Sequence, residues 1–546
     1  MASEGPKYIF VVGGVMSGVG KGVATSAIGR ILKSKGLNVT ALKIDPYINV
    51  DAGTMNPTEH GECFVLGDGD ECDQDMGNYE RFLDIDLSRG NYMTTGRVYL
   101  EVIKRERNLE YKGRNVEVVP DIPLEVIRRI EAAQQAANAD VTLIEVGGTI
   151  GEYQNIIFLE AVRMMKMKKP RDVAIVMVSY VPIPGNIGEM KTKPTQYASR
   201  SLNSVGLQAD IILARAARPL DEKRKEKIGV FCNIPTENVI SAPDVASIYD
   251  VPLNYEKDGL GKILCDVLGL EDRPADMKDW EAFVESSKNT TKELSIAVVG
   301  KYFDTGDFVL ADSYISVLEA LKAAGYAQGV KVKLSYLDSE EYEKDPSKLS
   351  DLSQYAGIVV PGGFGTRGIE GIIASIGYAR ENKIPYFGLC YGMQLAIIEY
   401  ARTKAGIEGA TTEEADAAAV HPVIGVMNDQ KEKLTKNDYG GTMRLGTYPC
   451  VLTPGTVAAS AYGKEQINER HRHRYEVNPA YIEQLTNAGL VFSGKSPDGR
   501  LMEIAELPVS EHPFFLGTQF HPELLSRPLT PHPLFSAFLK AAGEKG

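Results

Sequence analysis

The stretch Tyr8–Gly22, YIFVVGGVMSGVGKG, decides the fold of the first half of the chain. Five apolar residues run into glycines, and a helical pattern follows over Val23–Lys35. A strand that ends in glycines and opens into a helix aims backbone N–H groups at an anion. Lys21 adds a point charge suited to β- and γ-phosphates. The strict phosphate-loop pattern fails at two places: Val15 stands at its first Gly position and Gly22 at its Ser/Thr position. Ser17, Gly18, Val19, Gly20, Lys21 and Gly22 are therefore the candidate triphosphate cradle. The plain alternative is a glycine-rich turn without a ligand.

Working outward, β-branched runs at Val39–Ile44, Val116–Val119, Val141–Val146, Val173–Ser179 and Ile211–Leu213 alternate with helical stretches such as Leu124–Ala137. That alternation predicts an α/β fold, a parallel sheet with helices on both faces. Residues 271–293 are polar and read as an interdomain linker. A second α/β unit begins at Leu294–Gly300 and continues through Gly357–Val360 and Ile384–Leu389. Val491–Ser493, Leu501–Leu507 and Phe514–Thr518 read as its antiparallel part. Gly406–Ala419 reads as a mobile surface loop. The expected domains are residues 1–270, a linker over 271–293, and residues 294–546.

Carboxylates for a divalent cation have two sources. One is the acidic run Asp68–Asp75; the other is Glu145, at the end of an apolar strand, where a parallel sheet binds ligands. Hard oxygen donors suit Mg²⁺. Lys191-Thr192-Lys193-Pro194-Thr195-Gln196 offers two cations along an extended segment, fit for a second triphosphate or, in the plain reading, an exposed basic turn.

The second half carries a different chemistry. Cys390 lies between Gly388 and Gly392 at a strand-to-helix turn, which projects a sulfur toward a helix N-terminus. His521 is the candidate base and Glu523 its orienting acid. Pro361–Gly365 ends a neighbouring strand with N–H groups free for an oxyanion. His471 and His473 lack a third ligand, so a structural or glutamine-contacting loop is favoured over a metal site.

The 546 residues exceed what one core supports. A net charge of −13 excludes non-specific nucleic-acid binding, which needs clustered cations. No apolar run is long enough to span a membrane, and the N-terminus lacks a signal-peptide pattern. The six cysteines form no CxxC pair, so a reducing cytoplasm is the expected setting.

Longer motifs sharpen the reading. KIDPYINVDAGTMNPTEHGE (Lys43–Glu62), NYERFLDIDL, TTGR, EVGGT, KTKPTQ and VFCNIP fall in the first half. VGKY, VPGGFG, GLCYGMQ, GGTMRLG, ERHRHRYEVN and QFHPE fall in the second. Over nearly its whole length the chain resembles the CTP synthase family: a P-loop-type amidoligase followed by a class I glutamine amidotransferase. The resemblance implies that ATP-Mg²⁺ phosphorylates O4 of UTP and that ammonia from glutamine, led through a tunnel, displaces the phosphate. By motif, Ser17–Gly22 and Lys43 would serve ATP, with Asp75 and Glu145 on Mg²⁺. Ser17, Glu152, Tyr153, Gln154, Lys191, Lys193, Gln196 and Lys227 would contact UTP or CTP, and His60 would gate the tunnel. Gly363, Gln394, Glu414 and Arg474 would bind glutamine around Cys390, with Gly363 and Tyr391 forming the oxyanion hole. Arg367 and Glu370 fall in the loop matched to the activator GTP. A homotetramer is implied, and filaments remain open.

Several positions depart from the family pattern. The usual GDIES is here Gly151-Glu152-Tyr153-Gln154-Asn155, so one of two acids becomes neutral, and Cys63 replaces a tunnel-lining Val. These departures cluster around nucleotide recognition and point to altered CTP feedback or acceptor choice. The alternatives to UTP amination are a specialised paralogue acting on another pyrimidine nucleotide, or a non-catalytic filament or regulatory homologue.

Overall fold

The computed structural model describes residues 5–185, 188–301, 311–427, 430 and 441–545. Met1–Glu4, Tyr302 of VGKY and Gly440 of GGTMRLG lie outside the described residues. The chain forms two compact units. The first comprises Met1–Asp51 and Asp75–Val284; the second comprises Ala52–Gln74 and Glu285–Gly546.

The first unit is built on a seven-stranded sheet. Its order is Tyr92–Thr94, Val39–Asp45, Val141–Val146, Lys7–Gly14, Val173–Tyr180, Ile211–Ala216 and Val239–Pro243, every pairing parallel. Lys7–Gly14 and Val141–Val146 are buried throughout, as central strands covered on both faces must be. The expected strand at Val116–Val119 does not form. A helix starts at Val118, and Val118 and Val119 are about half exposed. Pro120 removes a ladder donor there, and Asp121 accepts from the Glu117 amide at 2.8 Å.

The expected linker over residues 271–293 contains an ordered element and includes the boundary between the units at Val284/Glu285. Lys278–Asn289 is a helix that seats Trp280, fully buried, against Phe82, Tyr249 and Phe283. The indole N–H donates to the Tyr249 carbonyl at 2.9 Å.

The second unit carries a nine-stranded mixed sheet. Lys331–Asp338, Glu293–Gly300, Gly357–Val360, Tyr386–Leu389 and Phe515–Thr518 pair in parallel. Met502–Glu506, Val491–Lys495, Arg444–Leu452 and Gln466–His473 continue it antiparallel. Gly406–Ala419 is not a loose loop, because Ala410–Thr412 pairs with His421–Val426 and Ile407, Ala410 and Thr412 are buried. His471 and His473 lie on a strand, not in a loop. The hairpin of Phe64–Val65 and Glu71–Cys72 also belongs to this unit.

Candidate functional site

In the first unit, the Lys7–Gly14 strand leads through an exposed Val15–Gly18 turn into the Lys21–Ser34 helix. Gly20 caps that helix at φ 88°, and a Cβ there would lie 2.8 Å from Arg215. A Cβ on Gly22 would lie 2.0 Å from Asp75 Oδ1, so the usual Ser or Thr of a phosphate loop has no room. Asp75 occupies that space instead.

Lys43 is the centre of the charge cluster. Its Nζ lies 2.5 Å from Asp75 Oδ2 and 2.8 Å from Glu145 Oε1. Tyr79 donates to the other Glu145 oxygen. Burial lowers the Lys21 pKa, and Lys43 adds to that, against the pull of Glu145 and Asp75. Burial also raises Glu145, where the attraction of Lys43 falls short. Burial acts on Asp75 in the same sense, but Lys43 outweighs it and holds that carboxyl below its usual value. Glu145 is thus a buried acid short of positive charge. Among the described residues no group of three or more His, Cys, Asp or Glu converges. Two carboxylates, with the remaining positions left to phosphates and water, is a donor set that fits Mg²⁺.

Beside this loop lies a pocket of about 290 Å³ lined by Gly20, Val23, Arg215, Pro243, Asp244, Val245 and Tyr255. Arg215 bonds Asp244 at 2.5 Å and reaches the Val19 carbonyl at 3.4 Å. Sequence reasoning missed Arg215 and Asp244. The only signal was their place at strand ends on the ligand edge of the sheet, Arg215 next to last in Ile211–Ala216 and Asp244 just after Val239–Pro243.

The remaining nucleotide candidates are scattered. Lys191 pairs with Glu189 at 2.6 Å, and Arg224 and Lys227 also pull that carboxyl down. Lys191 and Lys227 thus both act on the Glu189 carboxylate. Lys193 is not on an extended segment: it opens the Lys193–Ser204 helix and stacks 5.4 Å over Phe231. Gln196 is buried, donating to Thr192 Oγ1 at 3.1 Å, while its Oε1 has no partner among the described residues. Tyr153 is 96% exposed and Gln154 is exposed beside it, so neither is yet held by this chain's own unit.

In the second unit, Cys390 sits between the Tyr386–Leu389 strand and the Tyr391–Thr403 helix at φ 50°, ψ −95°. A non-glycine residue held there is strained, and strain at such an elbow presents the nucleophile. The flanking glycines are required by packing: a Cβ on Gly392 would meet the Val360 carbonyl at 2.3 Å, and one on Gly388 would meet the Gly392 backbone carbon at 2.7 Å. His521 Nδ1 lies 2.7 Å from Glu523 Oε1. Burial opposes charge on His521, but the Glu523 carboxylate and the Cys390 sulfur overcome it and raise the imidazole well above its usual pKa. Among the described residues His521 Nε2 has no partner within strict hydrogen-bond geometry, and the Cys390 sulfur is the neighbour that favours its charge.

Gln394 donates to the Tyr475 carbonyl at 3.0 Å and to Gln519 Oε1 at 3.2 Å; Gln519 donates in turn to Cys390 Sγ at 3.6 Å. Gln519, the first residue of QFHPE, is a contact that motif reading left without a role. Glu414 accepts from the Gly365 amide at 2.6 Å, and Arg474 reaches Gln430 and Thr442 at 2.9 Å. Lys301, 3% exposed, bonds the Phe364 and Gly365 carbonyls at 3.1 and 2.5 Å and the Tyr391 hydroxyl at 3.2 Å. It pins the glycine loop to the helix that follows Cys390.

A chamber of about 70 Å³ opens beside the sulfur. Its walls include Cys390, His521, Arg472, Gly363, Pro57, Glu62 and Cys63. It has room for a few molecules the size of water or ammonia. His60 does not line it; its side chain is half exposed at the end of the Pro57–His60 turn of helix. Arg367 pairs with Glu340 at 3.0 Å and Glu370 with Arg402 at 2.7 Å, so the two do not converge.

Residues 7–270 match the family model described as CTP synthase N-terminus, and residues 309–541 match glutamine amidotransferase class-I. A curated protein named CTP synthase from Carboxydothermus hydrogenoformans is 50% identical over 537 residues, covering 98% of each chain. One of the same name from Pyrococcus furiosus is 50% identical over 540 residues, again covering 98% of each. Another from Thermococcus gammatolerans is 49% identical over 541 residues, covering 99% of each.

Proposed function

This chain belongs to the CTP synthase family, and we propose that its two sites divide one reaction between them. The reaction is the ATP-dependent amination of UTP to CTP with nitrogen drawn from glutamine. The observation that carries the assignment of residues is the strained Cys390 elbow, with the His521–Glu523 pair at 2.7 Å and a small chamber at the sulfur.

In this reading the Cys390 thiolate attacks the glutamine amide carbon. The amides of Gly363 and Tyr391 receive the oxyanion. His521 gives its proton to the departing ammonia, and the thioester is then hydrolysed by water, with His521 as base. Gln394, Glu414 and Arg474 hold the amino acid, and Pro57, Glu62 and Cys63 line the space that receives ammonia. His60 acts further along that route.

At the other site, UTP O4 attacks the γ-phosphorus of ATP, ADP departs, and ammonia then displaces phosphate at C4. Ser17–Gly22, Lys21 and Lys43 cradle the triphosphate, and the Arg215–Asp244 pocket takes the purine. Mg²⁺, held by Asp75 and Glu145, offsets the triphosphate charge when bound. Lys191, Lys193, Gln196 and Lys227 hold the uridine nucleotide, with Glu152, Tyr153 and Gln154 reading the pyrimidine side. Tyr153 and Gln154 are exposed and Glu152 is half-buried, which is in keeping with a homotetramer that completes the site. GTP acts near Arg367 and Glu370, and a reducing cytoplasm keeps Cys390 a thiol.

The test is to follow CTP formation from glutamine, ATP-Mg²⁺ and UTP, with and without GTP. Cys390→Ala should abolish glutamine-dependent synthesis, and ammonium salt should restore it. No CTP from either nitrogen source, with glutaminase intact, would mean another acceptor and direct attention to Gly151–Asn155.

A further inference from the structure

The turn that follows Glu145 carries a buried tether that the reaction above does not use. Its ends are anchored on two strands: the Gly147 amide donates to the Ile44 carbonyl and the Ile150 amide to the Gly13 carbonyl, both at 2.8 Å. Between them Gly148, at φ 75°, sits in the left-handed region that glycine adopts freely. Its carbonyl accepts from Lys21 Nζ at 3.0 Å. Lys21 reaches that oxygen across the strand end at Gly13, where a Cβ would stand 3.0 Å from Nζ.

On this carbonyl the ammonium is kept off stronger acceptors. Glu145, Asp75 and Asp45 attract the Lys21 charge, and Lys43 repels it. A carboxylate binds an ammonium more strongly than a neutral carbonyl does. Glu145 and Asp75 are also the two acids whose oxygens fit Mg²⁺. A Lys21 drawn onto either would cover an oxygen that the cation needs and would be withheld from the phosphates.

The Gly148 carbonyl holds the ammonium only while the peptide between Gly148 and Thr149 keeps its oxygen toward Lys21. Glycine lets such a peptide turn over easily. Asn155 opposes that. It is 2% exposed and stands at the N-cap of the Ile156–Lys168 helix, yet its side chain does not cap the helix. Its Nδ2 donates instead to the Thr149 carbonyl at 3.0 Å and, more weakly, to the Gly147 carbonyl at 3.4 Å. Those are the oxygens on either side of Gly148. Two acceptors facing the amide settle which of its atoms is the nitrogen. Oδ1 is buried with no partner among the described residues, so the donors orient the side chain.

We propose that Asn155 is a positioning residue for Lys21. By pinning the carbonyls on either side, it keeps the Gly148 carbonyl as the resting place of the ammonium and leaves Glu145 and Asp75 open to the cation. Serine, which ends the usual GDIES, has one hydrogen to give and cannot serve both carbonyls. The inference rests on the reading that Ser17–Gly22 binds ATP.

The test uses the full-length protein with ammonium salt as nitrogen source, so that Cys390 plays no part. Asn155→Leu keeps the bulk and removes both donors; Asn155→Ser keeps one. Initial rates give the KM for ATP, the KM for UTP and the Mg²⁺ concentration at half activity. Calorimetry gives the dissociation constant of Mg-ATP without turnover. Leu should raise the ATP and Mg²⁺ constants about tenfold, as a misplaced charged contact does, and leave the UTP KM near its wild-type value. Ser should fall between Leu and wild type. Unchanged or tighter ATP binding in Leu overturns the proposal. A rise in the UTP KM alone also overturns it, and would assign Asn155 to the pyrimidine. Lys21→Met binding ATP as wild type does overturns instead the underlying reading. Should Leu fail to fold, nucleotide-free crystals of wild type and Asn155→Ala decide. Lys21 on Gly148 in wild type and on Glu145 or Asp75 in the variant supports the tether; the same Lys21 position in both excludes it.

Discussion

At the scale of single residues, Lys301 shows how burial sets a working range of pH. Burial lowers its pKa to about 8, with Arg367 adding to the effect and Glu414 and Glu343 opposing it. Below about pH 8 the ammonium grips two carbonyls of the glycine loop. Above that value the charge is lost, and with it the attraction to Glu414. The sign for stability is opposite. Because the folded value lies below the ordinary 10.5, the buried charge costs stability below pH 8, and that cost fades as pH rises toward 10.5. The expected outcome is a glutaminase rate that declines above about pH 8 while the fold does not weaken. Lys301→Met, lacking both charge and donors, should cost about tenfold or more in kcat/KM below pH 8 and flatten the decline. A wild-type decline unchanged in that variant would assign it to another group.

At the scale of elements, the strand–elbow–helix around Cys390 depends on close backbone approach. Gly392→Ala would drive a methyl onto the Val360 carbonyl, 2.3 Å away, so the helix must retreat from its neighbouring strand. Overpacking of this kind costs about 1–3 kcal/mol. Glutaminase should fall further than that loss alone accounts for, because the retreating helix carries the Tyr391 amide. Gly363→Ala meets nothing nearer than Tyr391 Cδ1 at 3.8 Å, so its denaturation midpoint should stay close to wild type. Chemical denaturation and glutaminase assays of the two variants separate packing from chemistry. This element was legible in the sequence, since glycines around a lone Cys after an apolar run imply little else once QFHPE is present. The parallel strands from Tyr8 and Val141 were legible for a similar reason, being continuous apolar runs. Val116–Val119 was misread because a short β-branched run says nothing of the missing neighbour strand. Gly406–Ala419 was misread because its small residues hide an Ile407–Ala410–Thr412 pattern of burial. Arg215 and Asp244 were missed because a pocket made by separate strand ends leaves no local motif.

At the scale of the whole molecule, linear order and packing disagree over Ala52–Gln74, which lies early in the chain but packs with the second unit. Glu71 anchors it there. Its Oε1 accepts from Arg472 Nε at 2.8 Å, and both residues are largely buried. Burial opposes the charge on Arg472, yet Cys63 and Glu71 together hold it above its usual range. The same guanidinium borders the chamber at Cys390 and lies 5.1 Å over the Phe364 ring. Removing one partner of a buried pair leaves the other charged and unpaired, at a cost of about 3–5 kcal/mol, whereas replacing both by apolar groups is often nearly neutral. Glu71→Met should therefore destabilise the second unit by an amount of that order. It should also expose Ala52–Gln74 to limited proteolysis, because Arg472 would pull toward water and take the hairpin contact with it. Glu71→Met combined with Arg472→Met should recover most of the stability. Glutaminase in the double variant would then report what the guanidinium does for the chamber itself. Equal stability in the single and double variants would show that Ala52–Gln74 is held by the Phe64–Cys72 hairpin and not by its ion pair.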